Sequence, residues 1–406
     1  MSQLAPPALP PLRSAEIRAG IQRDNAFFVA LRQDLHRHPE LAFAEHRTSA
    51  RVAELLQGWG YQVATGIAGT GVVGTLQRGH GSRRLGLRAD MDALPIHEAT
   101  GLPYASVNAG VMHACGHDGH TAILLAAAKY LAQHGRFDGT LHLIFQPAEE
   151  TGAGARRMIE EGLFERFPCD AVFGLHNWPG VGCGHVGCVE GPAMASVDQA
   201  HITVHGHGGH GAEPQHATDP VLAAAHLITA LQSVVARNVD PLEMAVVTVG
   251  SIHGGQASNV IPDSVALRLT ARAFKPAVRQ LLAERIPALA RAQAASLGAE
   301  AEVDYRLGFP PVHNHGAETR FAREVARQAL GDEQVPATFP PRTASEDFAF
   351  MLEARPGSYL FVGNGDTAPL HNPRYDFNDA VLPQAATLWA SLVESYLPAG
   401  EGPHHG

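Results

Sequence analysis

The chain contains 406 residues, 45% of them apolar and 17% charged, and carries a formal net charge of −10. Its length exceeds what one ordinary hydrophobic core fills, its composition excludes a disordered chain, and its acidity gives no footing to nucleic acid or an anionic membrane. Four cysteines, at 115, 169, 183 and 188, are too few to staple a secreted chain, so reduced thiols and a cytoplasmic location are expected.

Residues 1–20 lack an apolar core resembling a signal peptide, and no uninterrupted apolar run reaches bilayer-spanning length. Residues 6–12 are proline-rich and predict an extended arm. Helical periodicity over 14–36 is punctuated by His38-Pro39-Glu40, because the residue before proline is biased away from helix. A second amphipathic stretch, 45–58, leads to short alternating runs at 61–63 and 71–76. The segment 84–88, Arg-Leu-Gly-Leu-Arg, reads as a buried strand and leads to Asp90 and Asp92, two acids where α/β proteins place ligands. Strands are predicted again at 140–145, ending at Glu149-Glu150, and at 170–175, ending at His176; helices at 121–133 and 155–161 lie between.

Around Gly182 the texture changes. Runs 200–204, 244–252 and 264–274 predict strands, and 220–237 and 276–297 predict helices, a set that builds a second α/β layer. Helix 317–330, a strand at 358–362, His371 and a last helix over 379–396 return to the first pattern. The expectation is an inserted domain: 1–186 and 305–406 form one body, and 187–304 the insertion. The His404 and His405 pair, in a tail beyond 398–400, is given no chemical role.

The densest chemistry lies at 113–120, His-Ala-Cys-Gly-His-Asp-Gly-His, at the mouth of an apolar helix. Cys115 and His117, one residue apart on a turn, bring a soft thiolate and an imidazole within reach of one ion, and a thiolate can also lie between two. A buried structural cysteine and a helix-start histidine remain the plainer alternatives. Glu149 and Glu150 read either as a solvated acidic pair capping the next helix or as a divided pair, one carboxylate ligating while its neighbour accepts a proton. His176 and His371 each follow apolar residues and read as structural histidines or as donors. Together, Cys115, His117, Glu150, His176 and His371 could hold two divalent ions that polarise a carbonyl and activate water, with Glu149 as the base. Asp92 could fix the tautomer of His117, whereas Asp90 is a ligand or a packing residue.

The ordered set HRHPELAFAEHRT at 36–48, LRADMDALPI at 87–96, MHACGHDGH at 112–120, FQPAEETGAGARRMIEEG at 145–162, GLHNWP at 174–179, GGH at 208–210, NVIPD at 259–263, ASEDFAF at 344–350 and LHNPRYDFND at 370–379 resembles the M20 family of metallopeptidases and amidohydrolases. The likeness is to the branch of hippurate hydrolases, plant auxin-conjugate hydrolases and N-acyl-amino-acid deacylases. It implies a two-domain, mixed-sheet, zinc-peptidase-like α/β catalytic domain with an inserted α+β lid or dimerisation domain, and two Mn, Zn, Co or Ni ions. On that resemblance Cys115 bridges the ions, Glu150 and His371 complete one position, His117 and His176 serve the other, and Glu149 is the general base. Asp92 takes the place of an acid that orients a ligand, and Asp90 stands where more distant relatives carry a metal-binding histidine.

In the insertion, residue chemistry alone makes His210 a polar loop residue, Asn259 a turn residue before Pro262, and Arg272 a solvated or salt-bridged strand residue. The resemblance instead implies that His210 polarises the substrate carbonyl, and that Asn259 and Arg272 orient the substrate. One departure stands out: Gln215 occupies the place of a histidine and cannot take a proton as one does, although His216 follows. The implied activity is hydrolysis of an N-acyl or N-aroyl amino acid by a homodimer or larger homo-oligomer, with no nucleic-acid or membrane partner. A dipeptidase or aminoacylase-type peptidase is the enzymatic alternative, and a noncatalytic metal-stabilised binding protein the alternative of another class.

Overall fold

The structure is a computed structural model, described here for residues 5–9, 12–150 and 154–399. The chain divides into two units, the first comprising the residues up to Gly191, His313–Pro340 and those from Asp347 onward, and the second Pro192–Val312 with Pro341–Glu346. Part of the proline-rich arm and the His404 and His405 pair lie outside the described residues.

The first unit is built on a seven-stranded sheet. Its strands are β1 (Gln62–Ile67), β2 (Gly71–Arg78), β3 (Arg84–Asp90), β4 (Gly139–Gln146), β5 (Ala171–Pro179), β6 (Val186–Cys188) and β7 (Gly357–Gly365), in the spatial order β1-β2-β4-β3-β5-β7-β6. The central strands β4, β3, β5 and β7 run parallel, and the flanking pairs are antiparallel, which makes the sheet mixed. Parallel strands covered on both faces read as continuous apolar runs, and β4 and β5 are buried along almost their full lengths. The helix His117–His134 is apolar on all sides beyond its first turn, so it must be enclosed; Leu124, Leu125 and Leu131 have no exposed surface.

The periodicity over 14–36 resolves into two helices, Ser14–Arg23 and Asn25–Arg37. The break falls at Asp24, whose carboxylate pairs with Lys129 at 2.7 Å and caps neither helix through its side chain. The second helix sends Arg32 and His36 inward, with no exposed surface. Arg32 pairs with Asp379 at 2.8 Å and with Asp118 at 3.5 Å, and His36 Nδ1 lies 2.9 Å from Asp118. Burial opposes charge on His36, but hydrogen bonds to Asp118 and Glu98 outweigh it and raise its pKa to about 9. Because the folded value lies above the ordinary 6.5, the stabilisation is complete below that pH and fades as the pH rises through about 9, by at most about 3 kcal/mol. Denaturant titrations at stepped pH are therefore expected to show the stability gap between the wild type and His36→Gln shrinking across that window.

In the second unit a four-stranded antiparallel sheet runs in the order Ala245–His253, Ser264–Ala273, Val197–His205, Glu300–Phe309. Helices Pro220–Asn238 and Pro276–Ala295 cover one face, with Leu227, Leu231, Leu282 and Ile286 in a core shared with Ile202 and Leu267. Strand Glu300–Phe309 is an addition to the sequence expectation. The helix Pro220–Asn238 has 19 residues and reaches a mean hydropathy of 1.3, enough by length and composition to cross a membrane. Its Ala223, Leu227, Leu231 and Val234 face the core of this unit instead.

Candidate metal centre

The parallel strands end on one edge of the first unit's sheet, and the sequence-predicted donors gather there. Asp90 closes β3, Asp92 follows it, Glu149 and Glu150 follow β4, and His176 lies near the end of β5. Cys115 sits on the turn before the helix that starts at His117. His371 follows β7 at φ 62°, and its N–H donates to the Ala114 carbonyl at 2.7 Å, which ties the loop to the cysteine turn.

Two donor triads share the Cys115 sulfur: Cys115 with His117 and His176, and Cys115 with Glu150 and His371, each with its ligand atoms within 4.8 Å of one another. Cys115 Sγ lies 3.3 Å from His176 Nε2, and His371 Nε2 lies 3.4 Å from Glu150 Oε1. His176 donates its Nδ1–H to the Asn177 carbonyl at 2.6 Å, and burial lowers its pKa well below the usual range, so its Nε2 presents a lone pair. Among the described residues, His117 Nε2 and Glu150 Oε1 are buried side-chain atoms that make no hydrogen bond, His371 Nε2 standing beside the latter as an ion-pair neighbour only. Such orphaned atoms are costly unless something binds them.

The electrostatics point the same way. Burial opposes charge on His117, but Asp90, Asp92 and Glu150 outweigh it and raise its pKa to about 10. Burial, with Glu150, Glu149 and Asp90, pushes the Cys115 thiol well above its ordinary range. A cluster that holds a proton on imidazole and thiol in this way is short of positive charge, and a divalent cation reverses both effects. The residues therefore fit metal ions by donor type, by unpartnered atoms and by charge.

Asp92 links the two halves, accepting from Glu150 N at 3.0 Å through Oδ2 and lying 3.2 Å from His117 Nδ1 through Oδ1. Asp90 is placed differently. It accepts from Arg88 at 2.6 Å and lies 2.6 Å from His120 Nδ1, and although burial opposes its charge, His117 and Arg88 hold it well below the usual carboxylate range. His120 also stands within 4.8 Å of Asp90 and His117, but its Nε2 accepts from the Asn177 backbone N at 3.0 Å. With both ring nitrogens engaged, His120 is a framework residue. Sequence reasoning had not singled out His120, Asn177 or Arg88; the polar Gly116–His120 stretch and the Asn after His176 were the available signals.

In the second unit, strand Gly209–His210 pairs with Val260–Ile261, and Gly211 N donates to the Asn259 carbonyl at 2.8 Å, so His210 and Asn259 share one ribbon. His210 is exposed and its Nδ1 accepts from Ala212 N at 3.1 Å, which assigns the proton to Nε2. Arg272, on strand Ser264–Ala273, donates to the Thr343 carbonyl at 3.0 Å. Gln215 and His216 lie in an exposed 3-10 turn, Pro214–His216.

Residues 86–395 match the model of peptidase family M20/M25/M40. This chain belongs to that family. The M20 chain is 45% identical to the hippurate hydrolase of Campylobacter jejuni, over 91% of its own length and 96% of the relative's. It is 42% identical to an N-acetyl-L-cysteine deacetylase of Bacillus subtilis, over 92% and 89%. Among solved structures, a dinuclear metal-binding M20 peptidase of Bacillus subtilis superposes with a TM-score of 0.81 at 34% identity, over 93% of this chain and 99% of that one. The M20 chain is thus a hydrolase with the mixed α/β architecture of its family, and it carries donor groups suited to metal.

Proposed function

We propose that this M20 enzyme hydrolyses the amide bond of N-acyl or N-aroyl amino acids, releasing a carboxylic acid and a free amino acid, at a centre of two divalent ions. The observation that carries the reading is the pair of donor triads meeting at one sulfur. Cys115 would serve both ions, Glu150 and His371 one of them, and His117 and His176 the other. The soft and hard donors together suit Mn, Zn, Co or Ni. Bound there, the ions supply Lewis acidity toward the amide carbonyl and lower the pKa of a water.

The chain's own groups do the rest. Glu149, whose carboxylate lies within 4.8 Å of the ligand atoms of His117 and Glu150, accepts the proton from the attacking water and returns it to the leaving nitrogen. Asp92 holds the His117 ring and the Glu150 backbone in place. We assign the insertion the role of lid and dimerisation domain, with His210 donating to the carbonyl oxygen and Asn259 and Arg272 orienting the substrate, the arginine by holding a carboxylate. The edge strand Ala245–His253, paired on one side only, supports a homodimer or a larger assembly built from dimers. Four unpaired cysteines support a cytoplasmic location.

A panel of N-benzoylglycine, N-acetylated amino acids and unblocked dipeptides, run after loading with defined metals, tests the reading. Cleavage of the acylated substrates is expected; cleavage confined to unblocked dipeptides would replace this assignment with a dipeptidase. Asp92→Asn keeps the shape but weakens the bond to His117, and it is expected to lower metal affinity about 10–100-fold, read by chelator competition.

A further inference from the structure

The turn that presents Cys115 is held from behind by one side chain. Gly116 adopts φ 95°, a conformation that suits glycine, and a Cβ there would collide with the Asn177 amide nitrogen and the Tyr375 hydroxyl. Asn177 Nδ2 donates to the Cys115 carbonyl at 2.6 Å, and Tyr375 OH donates to Asn177 Oδ1 at 2.8 Å. These partners set the orientation of the amide, because a carbonyl can only accept and Nδ2 must therefore face it. Asn177 Nδ2 also lies 3.1 Å from His120 Nε2, and His120 is anchored in turn on Asp90 at 2.6 Å. Asn177 and Tyr375 have no exposed surface.

Asn177 follows His176, whose Nε2 lies 3.3 Å from the Cys115 sulfur. One residue of β5 therefore brings an imidazole to one side of the thiol while its neighbour grips the thiol's own carbonyl. The polar atoms of the Asn177 side chain are spent on the Cys115 carbonyl, the His120 ring and the Tyr375 hydroxyl, so it holds the turn. We propose that Asn177, oriented by Tyr375, is a positioning residue that sets the direction of the Cys115 sulfur between the two triads; this rests on the dinuclear reading above. The amide matters for its polarity as well as its volume. Asn177→Asp would bring an acceptor against the Cys115 carbonyl, Asn177→Ala would remove the grip, and Tyr375→Phe would release only the orienting hydroxyl.

The test loads metal-free wild type, Asn177→Asp, Asn177→Ala and Tyr375→Phe with Co(II), with Cys115→Ser as the background. It measures cobalt bound per chain, cobalt affinity by chelator competition, the near-ultraviolet thiolate-to-cobalt absorption band, and kcat apart from KM, with thermal melts to establish folding. The Asn177 variants are expected to bind cobalt about 10–100-fold more weakly, with a diminished thiolate band and a fall in kcat at little changed KM. Tyr375→Phe is expected to move in the same direction by a smaller factor. Wild-type affinity and an unaltered band in the folded Asn177 variants would overturn the proposal. Should those variants not fold, Tyr375→Phe decides, and wild-type values in it have the same force. A wild-type chain that takes up fewer than two cobalt ions would overturn the dinuclear reading and this proposal with it, whereas two ions in the wild type with indifferent variants would remove the clamp alone.

Discussion

Glu149→Gln is expected to lower kcat by about 10²–10⁴-fold while leaving the bound metal unchanged. The physical basis is the separation of two consecutive carboxylates. Ala148 takes φ 54°, and its N–H donates to the buried Glu45 carboxylate at 2.9 Å, so the chain turns before the pair emerges. Glu150 then joins Cys115 and His371, whereas Glu149 joins a group with His117 and Glu150 that does not include the sulfur. Glutamine keeps the length and polarity of the side chain but has no basic carboxylate to take a proton. Metal content by elemental analysis and turnover on the same preparation check it together. Turnover within a factor of a few of the wild type would remove the base assignment, and loss of metal would move Glu149 among the ligands.

Cys115→Ala is expected to have the larger effect on the centre. Its sulfur is common to both triads, so one substitution removes a donor from each position, whereas His371→Ala or His176→Ala removes a donor from one. Loss of affinity is expected to exceed the roughly 10–100-fold that follows removal of an outer partner, at both positions and with turnover lost. His371→Ala is expected to spare one ion. Metal counting on the three variants distinguishes a shared sulfur from a private one: equal stoichiometry in Cys115→Ala and His371→Ala would show that the sulfur serves a single ion.

Much of this was legible along the chain because most donors lie in or just past an apolar run that becomes a strand, or at the start of one that becomes a buried helix, while His371 is reached only across the loop after β7. Glu150 follows β4, His176 lies in β5, and the turn bearing Cys115 opens a helix too apolar to be exposed. Strand Glu300–Phe309 carried the same kind of signal, with Ala301, Val303 and Tyr305 inward and Glu300, Glu302 and Asp304 outward, but the many charges on its outer side masked it. The grip of Asn177 on Cys115 was not legible. It depends on Tyr375, which lies 198 positions away in sequence and arrives only because β7 settles beside β5. Hydrogen bonds between distant loops leave no period in a sequence, and the roles of Asn177, His120 and Arg88 follow only from where the strands lie.

The position of β7 has one more consequence. It lies between β5 and β6, both made long before it, and it pairs with each. While the chain is being made, β5 and β6 lack the strand that joins them, and His371, which follows β7, is still to come. A growing polypeptide therefore cannot complete the donor set early. A chain truncated before β7 is expected to lack both the joining strand and the His371 donor, and with them any turnover.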